Sequence, residues 1–274
     1  MIAFYGFGGG FGHLTRIRTF IDTYKITSPV LILTNNPAAF RLFKQAEIAF
    51  LPSHLPFEKA SLRWLVEKVL AENELEAFYI DVFPCGFLGE LSNEFFREIP
   101  VHLLCRRLKW NKYAPQVTNA PLAISKAYIF EELENEHQQF IAENSSHLLN
   151  ASLHFPSPAN KPSAVEKLKK PIWLVVHTSQ QEELEVLIDH AQDLAKIEQV
   201  EPEIVILSDL SVEIPTNAHL LSEENPIDWF PYAEKVFTAA GFNTWYQLQR
   251  WREKHIAIPF PRKFDDQFWR IANV

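Results

Sequence analysis

Glycine is scarce in this chain, at 8 of 274 residues. Cysteine is scarcer still: Cys85 and Cys105 alone exclude a disulfide framework and a zinc site built only from thiolates. No apolar run reaches the ~18–20 residues of a membrane-spanning helix. Positive charge is in deficit, with 26 Lys and Arg against 34 Asp and Glu and a formal charge of -8. That balance excludes broad nonspecific binding to nucleic acid, which needs a basic face. The opening MIAFYGFGGGFGH carries no basic n-region and no small-residue cleavage site. A signal peptide is therefore not expected, and a cytoplasmic, reduced location is. What is present is ordinary globular composition, 47% hydrophobic and 22% charged, in a length that suggests two domains.

The apolar pattern alternates between the two secondary-structure periods. Strands are expected at Ile2–Tyr5, Val30–Thr34, Ile48–Leu51, Ala77–Phe83 and Val101–Cys105. Between them, helices are expected at His13–Lys25, Pro37–Ala46, Glu58–Leu70 and Phe87–Arg97, with Leu14, Ile17, Ile21 and Tyr24 on the inner face of the first. Residues 155–171 hold four prolines among polar and basic residues, the best linker in the chain. The alternation then restarts, with strands at Ile172–His177, Glu203–Leu207, Lys235–Thr238 and Ile256–Ile258. Helices are expected at Gln180–Lys196, Phe242–Arg252 and Asp265–Ala272. The expected fold class is α/β, with two domains over residues 1–160 and 161–274, each a mostly parallel sheet covered by helices.

Five of the eight glycines (Gly6, Gly8, Gly9, Gly10 and Gly12) crowd the first twelve positions, between the first strand and the first helix. Glycine permits positive φ and close backbone approach, so an unusual backbone is expected here. A glycine-rich turn opening a helix is an anion site, because free N–H groups and the helix dipole point outward. A dinucleotide site needs a third glycine where Phe11 stands and an acid closing the second strand, which ends Thr34-Asn35-Asn36. A P-loop needs Gly-Lys-Ser/Thr where Gly12-His13-Leu14 stands. His13 sits where the loop becomes helix, at the carboxyl edge of the sheet. It is either a base for a hydroxyl or water, or a cap for the turn. Asp81, near the end of AFYIDVF, either orients His13 or caps the loop Phe83-Pro84-Cys85-Gly86.

The second half repeats the device, with Thr238-Ala239-Ala240-Gly241-Phe242-Asn243-Thr244 running from strand to helix and IPFPRKFDDQ opening the last helix. The pairing of a GGGFGH loop with AAGFNT and IPFP…DDQ resembles the GT-B glycosyltransferases. It is most similar to the lipid-linked N-acetylglucosaminyltransferases of peptidoglycan precursors. The Gly-Phe-Gly-His-x-x-Arg loop is also similar to that of the sugar-nucleotide hydrolases of pseudaminic acid synthesis. The resemblance covers roughly residues 1–25 and 226–270, with a weaker match at Thr178-Ser179-Gln180. It implies two Rossmann-like domains facing a cleft, the second holding a nucleotide-sugar donor, usually UDP-linked, and the first a hydroxyl acceptor, lipid-linked or saccharide. Gly9, Gly10 and Gly12 would line the diphosphate and His13 would be the base. Ser179, Gly241, Asn243 and Thr244 would contact the donor, and Asp266 and Gln267 would lie near the sugar. No cofactor and no metal is implied. Gln247 stands where the family places a carboxylate on the donor ribose, and Arg270 where it places an asparagine.

Two further stretches are candidates for partners. Arg106–Tyr113 is the most basic segment and could meet an acceptor phosphate or, through Trp110 and Tyr113, a membrane surface, or be a solvated loop. Arg16, one turn into the first helix, could reach an anion at its start. Trp229, Phe230 and Tyr232 could stack a uracil ring or simply pack.

Overall fold

The computed structural model describes residues 1–274 except Gly9, Ser53, Arg97, Asn119, Glu223 and Val274. The chain divides into two compact units. The first comprises Met1–His154 with Lys263–Asp265, and the second Phe155–Arg262 with Asp266–Val274.

In unit 1 the elements run β1 (Ile2–Tyr5), α1 (Gly12–Thr23), β2 (Val30–Thr34), α2 (Ala39–Leu42), β3 (Glu47–Phe50), α3 (Lys59–Glu72) and β4 (Ala77–Asp81). They continue with β5 (Val101–Cys105), α4 (Trp110–Tyr113), β6 (Lys126–Ile129), α5 (Asn135–Asn144) and β7 (Leu148–Asn150). Among the described residues these strands form one parallel sheet in the order β3-β2-β1-β4-β5-β6-β7. The order reverses between β1 and β4, and in such sheets the carboxyl ends at the reversal are where ligands bind. Alternation along the strands gives each face its own core. Ala3 and Tyr5 of β1 pack with Leu62, Leu65, Val66 and Val69 of α3. Phe4 turns the other way, edge-on to Phe20 of α1 and stacked on Tyr79 of β4.

Unit 2 runs β8 (Ile172–Val176), α6 (Gln181–Glu198), β9 (Glu203–Leu207), β10 (Ala218–Leu221), α7 (Pro226–Trp229), β11 (Ala233–Ala239), α8 (Phe242–Gln247), β12 (His255–Ile258) and α9 (Gln267–Ala272). Its parallel sheet has the order β10-β9-β8-β11-β12, so the reversal falls between β8 and β11. Leu184, Leu187, Ile188 and Ala191 of α6 cover one face, and Trp229 and Phe230 are buried in the core of the other.

Several expected elements differ, each for a local reason. The helix expected at 87–97 is a loop with one short 3-10 turn at Asn93–Phe95. Gly86 and Gly89 take φ of 87° and 72° there, and a Cβ on Gly89 would lie 1.9 Å from the Gln116 carbonyl oxygen. The helix expected at 37–46 is only Ala39–Leu42, and that expected at 242–252 gives way to a 3-10 segment broken at Trp251. Strands β6, β7 and β10 and helices α4, α5 and α7 are additions to the expected pattern. On α1 the buried residues are Leu14, Arg16, Ile17, Thr19 and Phe20, while Tyr24 is exposed. The helix is turned so that His13 and Arg16 reach β4.

Candidate functional site

Gly6 and Gly8 are required by close approach and not by positive φ. Among the described glycines, positive φ occurs only at Gly86 and Gly89. A Cβ on Gly6 would lie 2.5 Å from Cδ1 of Ile17, and one on Gly8 would lie 2.2 Å from Nε2 of His13. The helix and the imidazole thus lie directly against the loop backbone. Residues at the end of β2, where a dinucleotide site would carry its acid, hold the loop instead. Thr34 Oγ1 donates to the Gly6 carbonyl at 2.8 Å, and the Gly8 N–H donates to Asn35 Oδ1 at 3.3 Å.

Asp81 ends β4 at the reversal of strand order, and His13 stands in the first turn of α1 beside it. His13 Nδ1 lies 2.6 Å from Asp81 Oδ2. Arg16, one helical turn after His13, grips the same carboxylate with both arms: Nε to Oδ1 and Nη2 to Oδ2, each at 2.6 Å. The Arg16 and Asp81 side chains are 2% and 0% exposed, against 13% for His13. Burial alone would raise the Asp81 pKa, but Arg16 and the His13 hydrogen bond outweigh it and hold the group below the ordinary carboxylate range. An ionised carboxylate only accepts, so the imidazole proton sits on Nδ1 and Nε2 carries a lone pair. Burial pushes the His13 pKa below its ordinary value, further than the hydrogen bond and charge of Asp81 raise it; Arg16 and Arg106 lower it further. The site therefore holds a neutral imidazole, oriented through Nδ1, with Nε2 over Gly8.

The wall behind the ring is aromatic. Phe83 lies 5.7 Å from the imidazole at an interplanar angle of 29°. It is put there by a turn at Val82, whose φ is 72° and across which the Phe83 N–H donates to the Asp81 carbonyl at 3.0 Å. This is the hydrogen-bond pattern of a γ-turn, and a positive φ on a β-branched residue is strained. Phe87 and Phe264 pack edge-on against Phe83. Below them Glu90, fully buried, accepts a hydrogen bond from the Tyr5 hydroxyl and another from the Leu88 N–H. Burial pushes the Glu90 pKa up to about 7.

The remaining expected site residues fall as follows. Gly9 lies outside the described residues. Gly10 faces open space, with nothing within 4 Å of a Cβ built on it, and Gly12 opens α1. In unit 2, Ser179 is exposed in the loop between β8 and α6. Gly241 follows β11, caps α8 through its carbonyl and also faces open space. Asn243, Thr244 and Gln247 lie half-buried along α8. Asp266 caps α9, accepting from the Trp269 N–H at 3.2 Å. Gln267 is buried, and its Oε1 accepts from the Phe260 N–H at 3.0 Å, so its amide oxygen is engaged inside unit 2. Arg270 donates to the Ala240 carbonyl at 3.1 Å, bracing the loop that leads to Gly241.

Three suggestions from sequence are corrected. Arg16 does not face an outside anion, because its guanidinium is spent on Asp81. Trp110 and Tyr113 do not face a membrane: Trp110 stacks on His137 at 4.8 Å, and the buried Tyr113 hydroxyl donates to the Gly86 carbonyl. Trp229 and Phe230 are core residues and offer no face to a base. Sequence reasoning also missed a cluster at the carboxyl end of β8. There His177 Nε2 lies 3.0 Å from Glu183, which also pairs with Arg262. The only sequence signal for it was the acid in the first turn of α6.

No protein-family model matches the chain and no curated protein matches it. Solved structures do. UGT2 of Phytolacca americana, in complex with UDP-2-fluoro-glucose and pterostilbene, superposes with a TM-score of 0.60 at 12% identity, covering 98% of this chain and 82% of its own. The UDP-N-acetylglucosamine 2-epimerase of Neisseria meningitidis, bound to UDP-N-acetylglucosamine, gives 0.56 at 11% identity, covering 99% and 85%. MurG of Acinetobacter baumannii gives 0.52 at 12% identity, covering 95% and 78%. The fold is GT-B. At such identities the likeness reaches no further than architecture.

Proposed function

We propose that this chain moves a sugar from a nucleotide-sugar donor, UDP-linked, to a hydroxyl acceptor, with His13 as the base. The observation that carries the reading is the neutral imidazole fixed by Asp81 at the strand-order reversal of unit 1, its Nε2 against Gly8. In the reaction the acceptor O–H proton passes to Nε2 as the oxygen attacks the anomeric carbon. The bond from that carbon to the donor diphosphate breaks, and the diphosphate leaves with the electron pair. Asp81 keeps the imidazole aimed and stabilises the imidazolium that forms. Unit 2 holds the nucleotide at the carboxyl ends of β8 and β11, with Ser179, Gly241, Asn243 and Thr244 as contacts and Gln247 at the ribose. An amide at Gln247 gives a hydrogen bond without charge assistance. The open spaces at Gly10 and Gly241 support this reading, since neither the backbone nor a neighbouring side chain requires glycine there.

Water in place of the acceptor would make the same machinery a nucleotide-sugar hydrolase. Product analysis separates the two. UDP release from a UDP-sugar only when an alcohol acceptor is added supports transfer. Equal release in plain buffer overturns transfer in favour of hydrolysis, and binding of the donor with no release overturns both.

A further inference from the structure

We propose that Arg16 is a positioning residue of this site, acting on His13 through Asp81: it holds the plane of the carboxylate and compensates its charge, so that the imidazole keeps its proton on Nδ1 and presents Nε2 bare.

This rests on the base assignment above but is tested apart from it. Three observations carry it. First, the geometry is bidentate. Nε and Nη2 of Arg16 take Oδ1 and Oδ2 of Asp81 at 2.6 Å each, which fixes the carboxylate plane as a single contact would not. Second, Oδ2 is shared. The oxygen held by Arg16 Nη2 is the one 2.6 Å from His13 Nδ1, so any swing of the carboxylate moves the imidazole. Third, the Arg16 and Asp81 side chains are 2% and 0% exposed, so the guanidinium is withdrawn from solvent while His13 keeps an exposed edge.

Charge gives the arrangement a consequence. The charged groups acting on His13 are Asp81 at the end of β4, Arg16 on α1 and Arg106 after β5, the last paired with Asp265 at 2.5 Å. Arg16 cancels the carboxylate charge that would otherwise favour the imidazolium. His13 therefore stays neutral into mildly acidic solution and is available as a base there. Without Arg16, the uncompensated carboxylate would draw a proton onto the ring.

The experiment is a titration of the His13 imidazole by NMR, identified by its loss in His13→Gln, alongside the pH profile of kcat/KM. In the wild type the midpoint lies below 6.5. In Arg16→Met it moves up by roughly one pH unit or more, and the acid limb of the rate profile moves with it. Arg16→Lys keeps the charge and loses the fork, so the midpoint stays while kcat falls. Because Arg16→Met leaves a buried carboxylate unpaired and is liable to unfold, Arg16→Met/Asp81→Asn is the second variant. Removing both charges together is the better-tolerated change. If Arg16 acts through Asp81, the double variant is no slower than Asp81→Asn alone. An unmoved midpoint in Arg16→Met, or a double variant slower than Asp81→Asn by the full factor of Arg16→Met, overturns the proposal. The NMR titration needs no substrate. Absence of turnover in the wild type would therefore sink the transferase reading while still leaving Arg16 decided.

Discussion

At the imidazole, fixation comes from contacts of different kinds: a carboxylate at Nδ1, a phenyl ring at Phe83 and bare loop backbone at Gly8. The Gly8 contact gives a sharp mutational contrast. Gly8→Ala would put a methyl group 2.2 Å from Nε2, so the ring must leave its place. A displacement of about 1 Å is expected to cost on the order of 10²-fold in kcat. Gly10→Ala has nothing within 4 Å to meet and no positive φ to strain. It should melt at the wild-type temperature and lose about tenfold or more in donor affinity. Calorimetric melting and UDP titration of both variants check this, and unchanged affinity in Gly10→Ala would remove the diphosphate from that loop. His13 and Asp81 were legible from sequence because one followed a glycine cluster and the other closed an apolar strand. Arg16 was visible too, three residues after His13 on the same helical face. Its partner was not, because a side chain at a helix start can turn outward to a ligand or inward to a strand end. Only the sheet register puts Asp81 within its reach.

Among the elements, the segment from Val82 to Leu91 is the one the site depends on and the one sequence misread. Its apolar spacing suits a helix. Gly86 and Gly89 at positive φ break that helix, and Glu90 turns inward against Tyr5 and the Leu88 amide. The Leu91 N–H closes the loop on the Cys85 carbonyl at 3.0 Å. Glu90 makes the loop pH-sensitive, and the sign follows from its pKa of about 7, above the value of 4.5 in the unfolded chain. The folded state binds the extra proton, so the contribution is complete below pH 4.5 and is lost as pH rises through 7. The difference corresponds to roughly 3 kcal/mol at alkaline pH. Glu90→Gln keeps a neutral hydrogen-bonding group in place. Wild type should lose stability relative to this variant between pH 5 and 8, read from denaturant midpoints, and parallel curves would refute the assignment. The strained turn at Val82 belongs to the same segment. A buried β-branched residue held at φ 72° next to Asp81 is the kind of local cost that persists where the surroundings fix a functional geometry.

For the molecule as a whole, the alternation of strand and helix periods is enough to indicate two parallel sheets. Long buried strands such as Val30–Thr34 and Val101–Cys105 read as apolar runs whatever their neighbours. The edge strand Leu148–Asn150, exposed and three residues long, carries too little pattern to be read. Strand order, which places the reversal at Gly6 and Asp81 in one unit and at His177 and Gly241 in the other, is a matter of pairing between distant segments. No local pattern encodes it. The account of function nonetheless concentrates on one imidazole, and the most direct test compares UDP-sugar consumption and UDP binding in wild type and His13→Ala. The account predicts that His13→Ala binds UDP as the wild type does and loses about 10²-fold or more in turnover. Turnover at the wild-type rate in His13→Ala would contradict it.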